Sequence, residues 1–151
     1  MIYWLLFLIG FNISMVSLVY SHFRKKKDLL DIRSVITLVF TIPPLVSLVN
    51  GMLIFFLDFS IFLSILFSGV LGLLIGGLIG SLFNLITFCI SSLNGFYFGL
   101  MGPMIATPII SPNLCGIFTL GDSNINILLL STLGALLVCV FSLLYLNFSK
   151  G

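Results

Sequence analysis

IFLSILFSGVLGLLIGGLIGSLFNLITFCI, Ile61 to Ile90, runs for thirty residues without a charged side chain. A helix rises about 1.5 Å per residue and crosses the hydrocarbon core in ~20 residues, so this stretch is long enough to span a bilayer. Its centre carries a stripe of small residues: Ser68, Gly72, Gly76 and Gly80 fall four apart, with Gly69, Gly77 and Ser81 beside them. Residues four apart share a helix face. One side of the helix therefore has almost no side chains, a surface that admits a second transmembrane helix at close range. Two partners fit: a helix of the same chain, for which the Gly95, Gly99 and Gly102 face is the natural match, or a second copy of the protein. A four-residue repeat drifts about 40° per step, which favours a right-handed crossing.

In water such a helix would be weak, because each glycine costs about 1 kcal/mol relative to alanine. In hydrocarbon the backbone has no water to bond, and the helix persists despite its composition. The gain comes at the surface, where a neighbouring backbone collects dispersion contacts and weak Cα hydrogen bonds.

The rest of the chain agrees with a membrane setting. Hydrophobic residues are 60% of the 151 and charged ones 7%, against roughly 25% charged in soluble domains. Too few polar residues remain to cover a globule in water, which excludes a soluble fold. The chain reads as one integral membrane domain, residues 1–151. Five of its six basic residues, Arg24, Lys25, Lys26, Lys27 and Arg33, lie in one short segment between apolar stretches. By the positive-inside rule that segment is cytoplasmic, which puts the N-terminus outside. The first apolar stretch has no basic residues ahead of it and reads as an uncleaved anchor.

The predicted spans are Ile2 to Tyr20, Val35 to Leu57, Ile61 to Ile86, a less regular Asn94 to Ile110, and Ile127 to Phe148. Asp58, Phe59 and Ser60 form a short turn that makes spans two and three a hairpin. Pro43 and Pro44 should kink the second span, because each removes an amide donor and crowds the preceding turn. Pro103 and Pro108 should break the fourth, which then crosses as a kinked helix or dips in and returns. The expected fold is an all-α polytopic bundle of about five helices, with four crossings and a re-entrant segment as the alternative.

Candidates for chemistry are scarce. His22 is the sole histidine and sits in the basic segment. Cys89, Cys115 and Cys139 have no CxxC spacing and read as small apolar fillers. Met101 and Met104 could offer thioethers to Cu(I), but methionines also fill gaps in apolar helices, and no metal or cofactor is expected. No nucleophile elbow, phosphate-binding loop or zinc motif occurs, and no ionisable group is clearly at membrane depth. Asn12 and Asn147 open formal glycosylation sequons within or beside apolar spans.

The stretches SGVLGLLIGGLIGSLFN and LNGFYFGLMGPMIA, over Ser68 to Ala106, resemble a group of small, glycine-rich bacterial membrane proteins with a GxMGxM-type segment. That resemblance implies a bacterial cytoplasmic membrane and no activity. The expectation is a non-enzymatic multi-pass protein that assembles through glycine-striped helices with itself or another membrane protein. The expected partners are thus the lipid bilayer and such subunits, with no nucleic acid. The alternative is a small channel or transporter whose path lies near the proline-broken segments.

Overall fold

The computed structural model describes residues 2–26, 32–57, 60–110 and 132–140. Four long helices are connected in order: α1 (Ile2–Lys26), α2 (Ile32–Phe55), α3 (Ile61–Gly80) and α4 (Leu85–Ile110). Residues 132–140 form a fifth helical stretch. All four long helices contain apolar segments of 20 to 23 residues, enough to cross a membrane. The protein is an all-α, multi-pass membrane bundle.

Burial ranks the helices. The apolar segment of α2 is 72% buried, against 28% for α1 and 22% for α4. α2 is therefore the central helix, and α3 and α4 pack on it and on each other. α1 lies against α2 with a lighter contact to α3. The fifth stretch also meets α2, since a Cβ added at Gly134 would come 3.0 Å from the Val49 side chain. Leu38, Ile42, Val46 and Leu53 of α2 form the middle of the apolar core, joined by Leu5, Val19 and Phe23 of α1 and Ile79 of α3.

Four sequence expectations change. First, α1 does not stop at Tyr20 but continues to Lys26, so Arg24, Lys25 and Lys26 belong to its last turn instead of a loop. Cations at a helix C-terminus meet the carbonyl end of the dipole favourably, which explains why the helix outlasts its apolar run. Arg33 stands in the first turn of α2, and Lys27 lies outside the described residues.

Second, α3 ends at Gly80 and not at Ile86. Twenty residues already rise about 30 Å, the thickness of the hydrocarbon core, so the chain turns where the bilayer ends. Ser81 donates its amide to the Gly77 carbonyl at 2.9 Å, and Phe83 closes the turn onto the Gly80 carbonyl at 3.2 Å.

Third, α4 starts at Leu85 instead of Asn94. Asn84 begins it: the Asn84 carbonyl accepts the Phe88 amide at 2.9 Å, while the Asn84 amide donates to the Thr87 hydroxyl at 2.8 Å. Thr87 thus does what Glu or Gln does in a capping box, reaching back from the third helical position. Removing it by Thr87→Val should cost about 1 kcal/mol, read as a lower thermal unfolding midpoint in mild detergent. An unchanged midpoint would show that the turn is held by packing alone.

Fourth, Pro103 and Pro108 do not break α4, which is one continuous helix of 26 residues with an apolar segment from Leu85 to Thr107. The re-entrant alternative is replaced by a full-length helix. Pro43 and Pro44 likewise lie inside α2, both buried, and the helix continues through them. The Asp58 and Phe59 part of the outer turn, and the predicted last span apart from residues 132–140, fall outside the described residues.

Candidate functional site

Seven of the small residues along α3 and α4, Ser68, Gly72, Gly76, Gly80, Ser91, Gly95 and Gly99, converge on one seam. Gly72 of α3 faces Gly95 of α4, Gly76 faces Ser91, Gly80 faces Thr87 and Phe88, and Ser68 faces Gly99. The register is antiparallel and constant along the whole contact. At each level backbone touches backbone: a Cβ on Gly72 would lie 2.8 Å from the Gly95 carbonyl carbon, and one on Gly80 would lie 2.6 Å from the Phe88 Cα. Backbone cannot rotate away as a side chain can. The stripe of α3 is thus occupied by α4 of the same chain.

Not every glycine of α3 is equivalent. A Cβ on Gly69 would meet the ends of Leu100 and Phe96, and one on Gly77 the ring of Phe88. These are side chains with rotamers to spare, so Gly69 and Gly77 flank the seam without forming it.

Gly102 points elsewhere, onto α2, where its added Cβ would come 2.6 Å from the Leu48 carbonyl oxygen. Its counterpart is Gly51, which the sequence reading passed over. A Cβ on Gly51 would lie 2.7 Å from the Gly99 carbonyl oxygen and 3.2 Å from Pro103 Cδ. Pro103 has no amide hydrogen, so the carbonyl four residues earlier, that of Gly99, loses its helical donor. A bare carbonyl is costly in hydrocarbon. Gly51, having no side chain, lets α2 pack over that oxygen, which would stand 2.7 Å from a Cβ at this position. Gly51, Gly99 and Pro103 therefore form one unit, in which α2 covers the gap that proline leaves in α4. The only sequence clue was a glycine at the same helical level as a proline two spans away.

Serine hydroxyls accompany the seam. Ser68 donates to the Ile65 carbonyl at 3.0 Å, whereas the buried hydroxyls of Ser47, Ser64, Ser91 and Ser92 have no partner among the described residues. Serine suits close approach because it is small, and its hydroxyl can turn onto a carbonyl of its own helix.

A second polar feature joins α1 to α2. Asn12 and Asn50 are 0% and 2% exposed, and the Asn12 side-chain amide donates to Asn50 Oδ1 at 3.4 Å. Asn12 is thus an interior residue rather than a glycosylation acceptor; Asn147 lies outside the described residues.

The remaining candidates are scattered. Met101 and Met104 face away from the protein on α4, as does Cys89, while Cys139 is half-buried and Cys115 is outside the described residues. His22 is half-buried near the end of α1, with its ring edge-on to Phe23. Among the described residues no group of three or more His, Cys, Asp or Glu side chains comes together.

α1 has two contrasting faces. Leu5, Leu8, Asn12, Val16, Val19 and Phe23 are buried against the bundle. At 100° per residue the opposite face carries Gly10, Ser14, Ser17 and Ser21, all exposed and spaced four, three and four apart. The Ser14 hydroxyl donates to the Gly10 carbonyl at 2.8 Å and that of Ser21 to the Ser17 carbonyl at 2.7 Å, so both are satisfied without a partner helix. A Cβ added at Gly10 meets nothing within 4 Å, unlike every other described glycine. No protein-family model matches the chain, and no curated protein or solved structure is significantly similar to it.

Proposed function

We propose that this is a non-enzymatic multi-pass membrane protein that assembles, as a homo-oligomer or as a subunit of a membrane complex, through a small-residue helix face. The observation that carries the reading is the outward stripe of α1. The α3 and α4 glycines are engaged with each other and with α2, which leaves Gly10, Ser14, Ser17 and Ser21 as the small-residue stripe without a neighbour among the described residues. Small side chains gain little from facing lipid and much from a close helix, which is why such stripes mark interfaces in membranes. A bacterial cytoplasmic membrane, with the N-terminus outside and the Arg24 to Arg33 cations inside, is the setting this reading adopts.

Native mass spectrometry of the protein released in mild detergent tests it. The wild type should fly as an oligomer or with a different subunit, and Gly10→Leu/Ser14→Leu/Ser17→Leu should reduce it to the monomer. Met101→Leu/Met104→Leu, on the outward face of α4, should leave the assembly intact. A wild type that is monomeric under the gentlest extraction would end the proposal.

The alternative, a small channel or transporter, draws on the Gly99 carbonyl freed at Pro103 and on the buried hydroxyls of Ser47, Ser64, Ser91 and Ser92, which have no partner among the described residues. Broken helices tolerate bare carbonyls where they line a polar path. Solute or ion flux in reconstituted vesicles above lipid-only controls would favour this reading over the first.

A further inference from the structure

We infer that Asn12 and Asn50 form a register lock, which selects one alignment of α1 on α2 from several that apolar packing alone would accept. The packed face of α1 repeats every three or four residues, Leu5, Leu8, Asn12, Val16, Val19 and Phe23, and Asn12 is its one polar member. The facing side of α2 is as uniform, with Val39, Val46 and Leu53 buried around Asn50. Aliphatic side chains discriminate weakly between alignments one turn apart. An amide does not, because a slip of one turn, about 5.4 Å, leaves both asparagines buried without each other. A lone asparagine in an apolar seam specifies register in this way in coiled coils.

The pair is also complementary in what it leaves over. One hydrogen bond is made, from Asn12 to Asn50, and the two atoms left unpartnered are Asn12 Oδ1, an acceptor, and Asn50 Nδ2, a donor. Each is what the other needs, so a small rotation closes a reciprocal two-bond amide pair. No other residue on the packed face of α1 offers Asn50 either group. The lock also fixes where the basic end of α1 stands, because Arg24 and Lys25 would move with any slip.

Moving the asparagine tests the idea. The observed antiparallel pairing places Leu8 level with Ile54, and a one-turn slip that set residue 16 opposite Asn50 would carry Val19 from the level of residue 43 to that of residue 47, one residue from Val46. Two reporters in a background without native cysteines read these alignments by disulfide formation: Leu8→Cys/Ile54→Cys for the native one and Val19→Cys/Val46→Cys for the shifted one. With Asn12 in place the first bond should form and the second should not. In Asn12→Leu/Val16→Asn, which keeps Asn50, the preference should invert, with the ratio of the two bonds changing about tenfold or more. In Asn12→Leu/Asn50→Leu, which needs no buried amide and keeps apolar packing, both bonds should form. Retention of the native preference in the relocated variant, or in the double leucine variant, overturns the lock and leaves the asparagines as ordinary polar packing.

Discussion

Gly72→Ala is expected to split α3 from α4, lowering stability by about 3 kcal/mol, the upper end of what overpacking a close-packed interior costs. The added methyl would meet the Gly95 backbone, whose carbonyl carbon stands 2.8 Å from where it must sit, and a helix backbone can give way only by moving the whole helix. Gly69→Ala, three residues away on the same helix, is the matched control. Its methyl meets only Leu100 and Phe96 side chains, so the cost should stay below ~1 kcal/mol. Gly76→Leu should likewise be far worse than Leu74→Ala, since Leu74 points away from the bundle. Thermal unfolding in mild detergent reads all four variants. Equal losses for Gly69 and Gly72 would mean that the glycines matter for composition and not for the seam.

The second large effect is expected at Gly51. Gly51→Leu forces a side chain between α2 and α4 where the Gly99 oxygen, the Gly102 Cα and Pro103 Cδ all lie within 3.2 Å of the added Cβ. A loss of about 3 kcal/mol or more should follow, and more sharply than at most core positions because α2 is the helix on which the others rest. Pro103→Ala is the informative partner. It restores an amide donor for the Gly99 carbonyl and removes the Cδ contact, so alone it should be neutral or stabilising. Combined with Gly51→Leu it should recover part of the loss, giving a coupling of about 1 kcal/mol in the cycle. Strict additivity of the two changes would show that the freed carbonyl and the glycine are unrelated.

Both effects concern residues that are small and uncharged, and their legibility in the sequence differs for physical reasons. Gly72, Gly76 and Gly80 announce themselves by spacing within one helix, since periodicity is a local property. Gly51 has no such company; its role arises from Pro103, two helices further along the chain. The same division explains the helix ends. Asn84 and Thr87 are ordinary cap residues, but Leu82 and Phe83 continue the apolar run across the turn, so hydropathy hides the break. What reveals it is length, because α3 has already filled the bilayer by Gly80. The stop expected at Pro103 fails for a different reason: the ring clash and lost hydrogen bond of a proline end a helix that can unravel into water, whereas in hydrocarbon unravelling would bare further carbonyls, and Gly51 lets α2 pack over the one that is freed. Asn12 read as part of a sequon, and only its meeting with Asn50 shows it as an interior contact between helices.

The sequence by itself determined the class of this protein. Composition and unbroken apolar length leave lipid as the solvent and helices as the form, since a backbone in hydrocarbon must bond within its own segment. It also determined that some helix pair would approach backbone to backbone, because a stripe without side chains has no other advantage. The tertiary structure alone decided which pair. The α3 stripe closes on α4, α2 takes the centre by matching Gly51 to Gly102 and to the carbonyl freed at Pro103, and the small-residue face of α1 is left turned outward. Spacing along one helix says that a surface can be approached; which surface approaches it depends on the register of residues far apart in the chain, and that is set only when the helices pack.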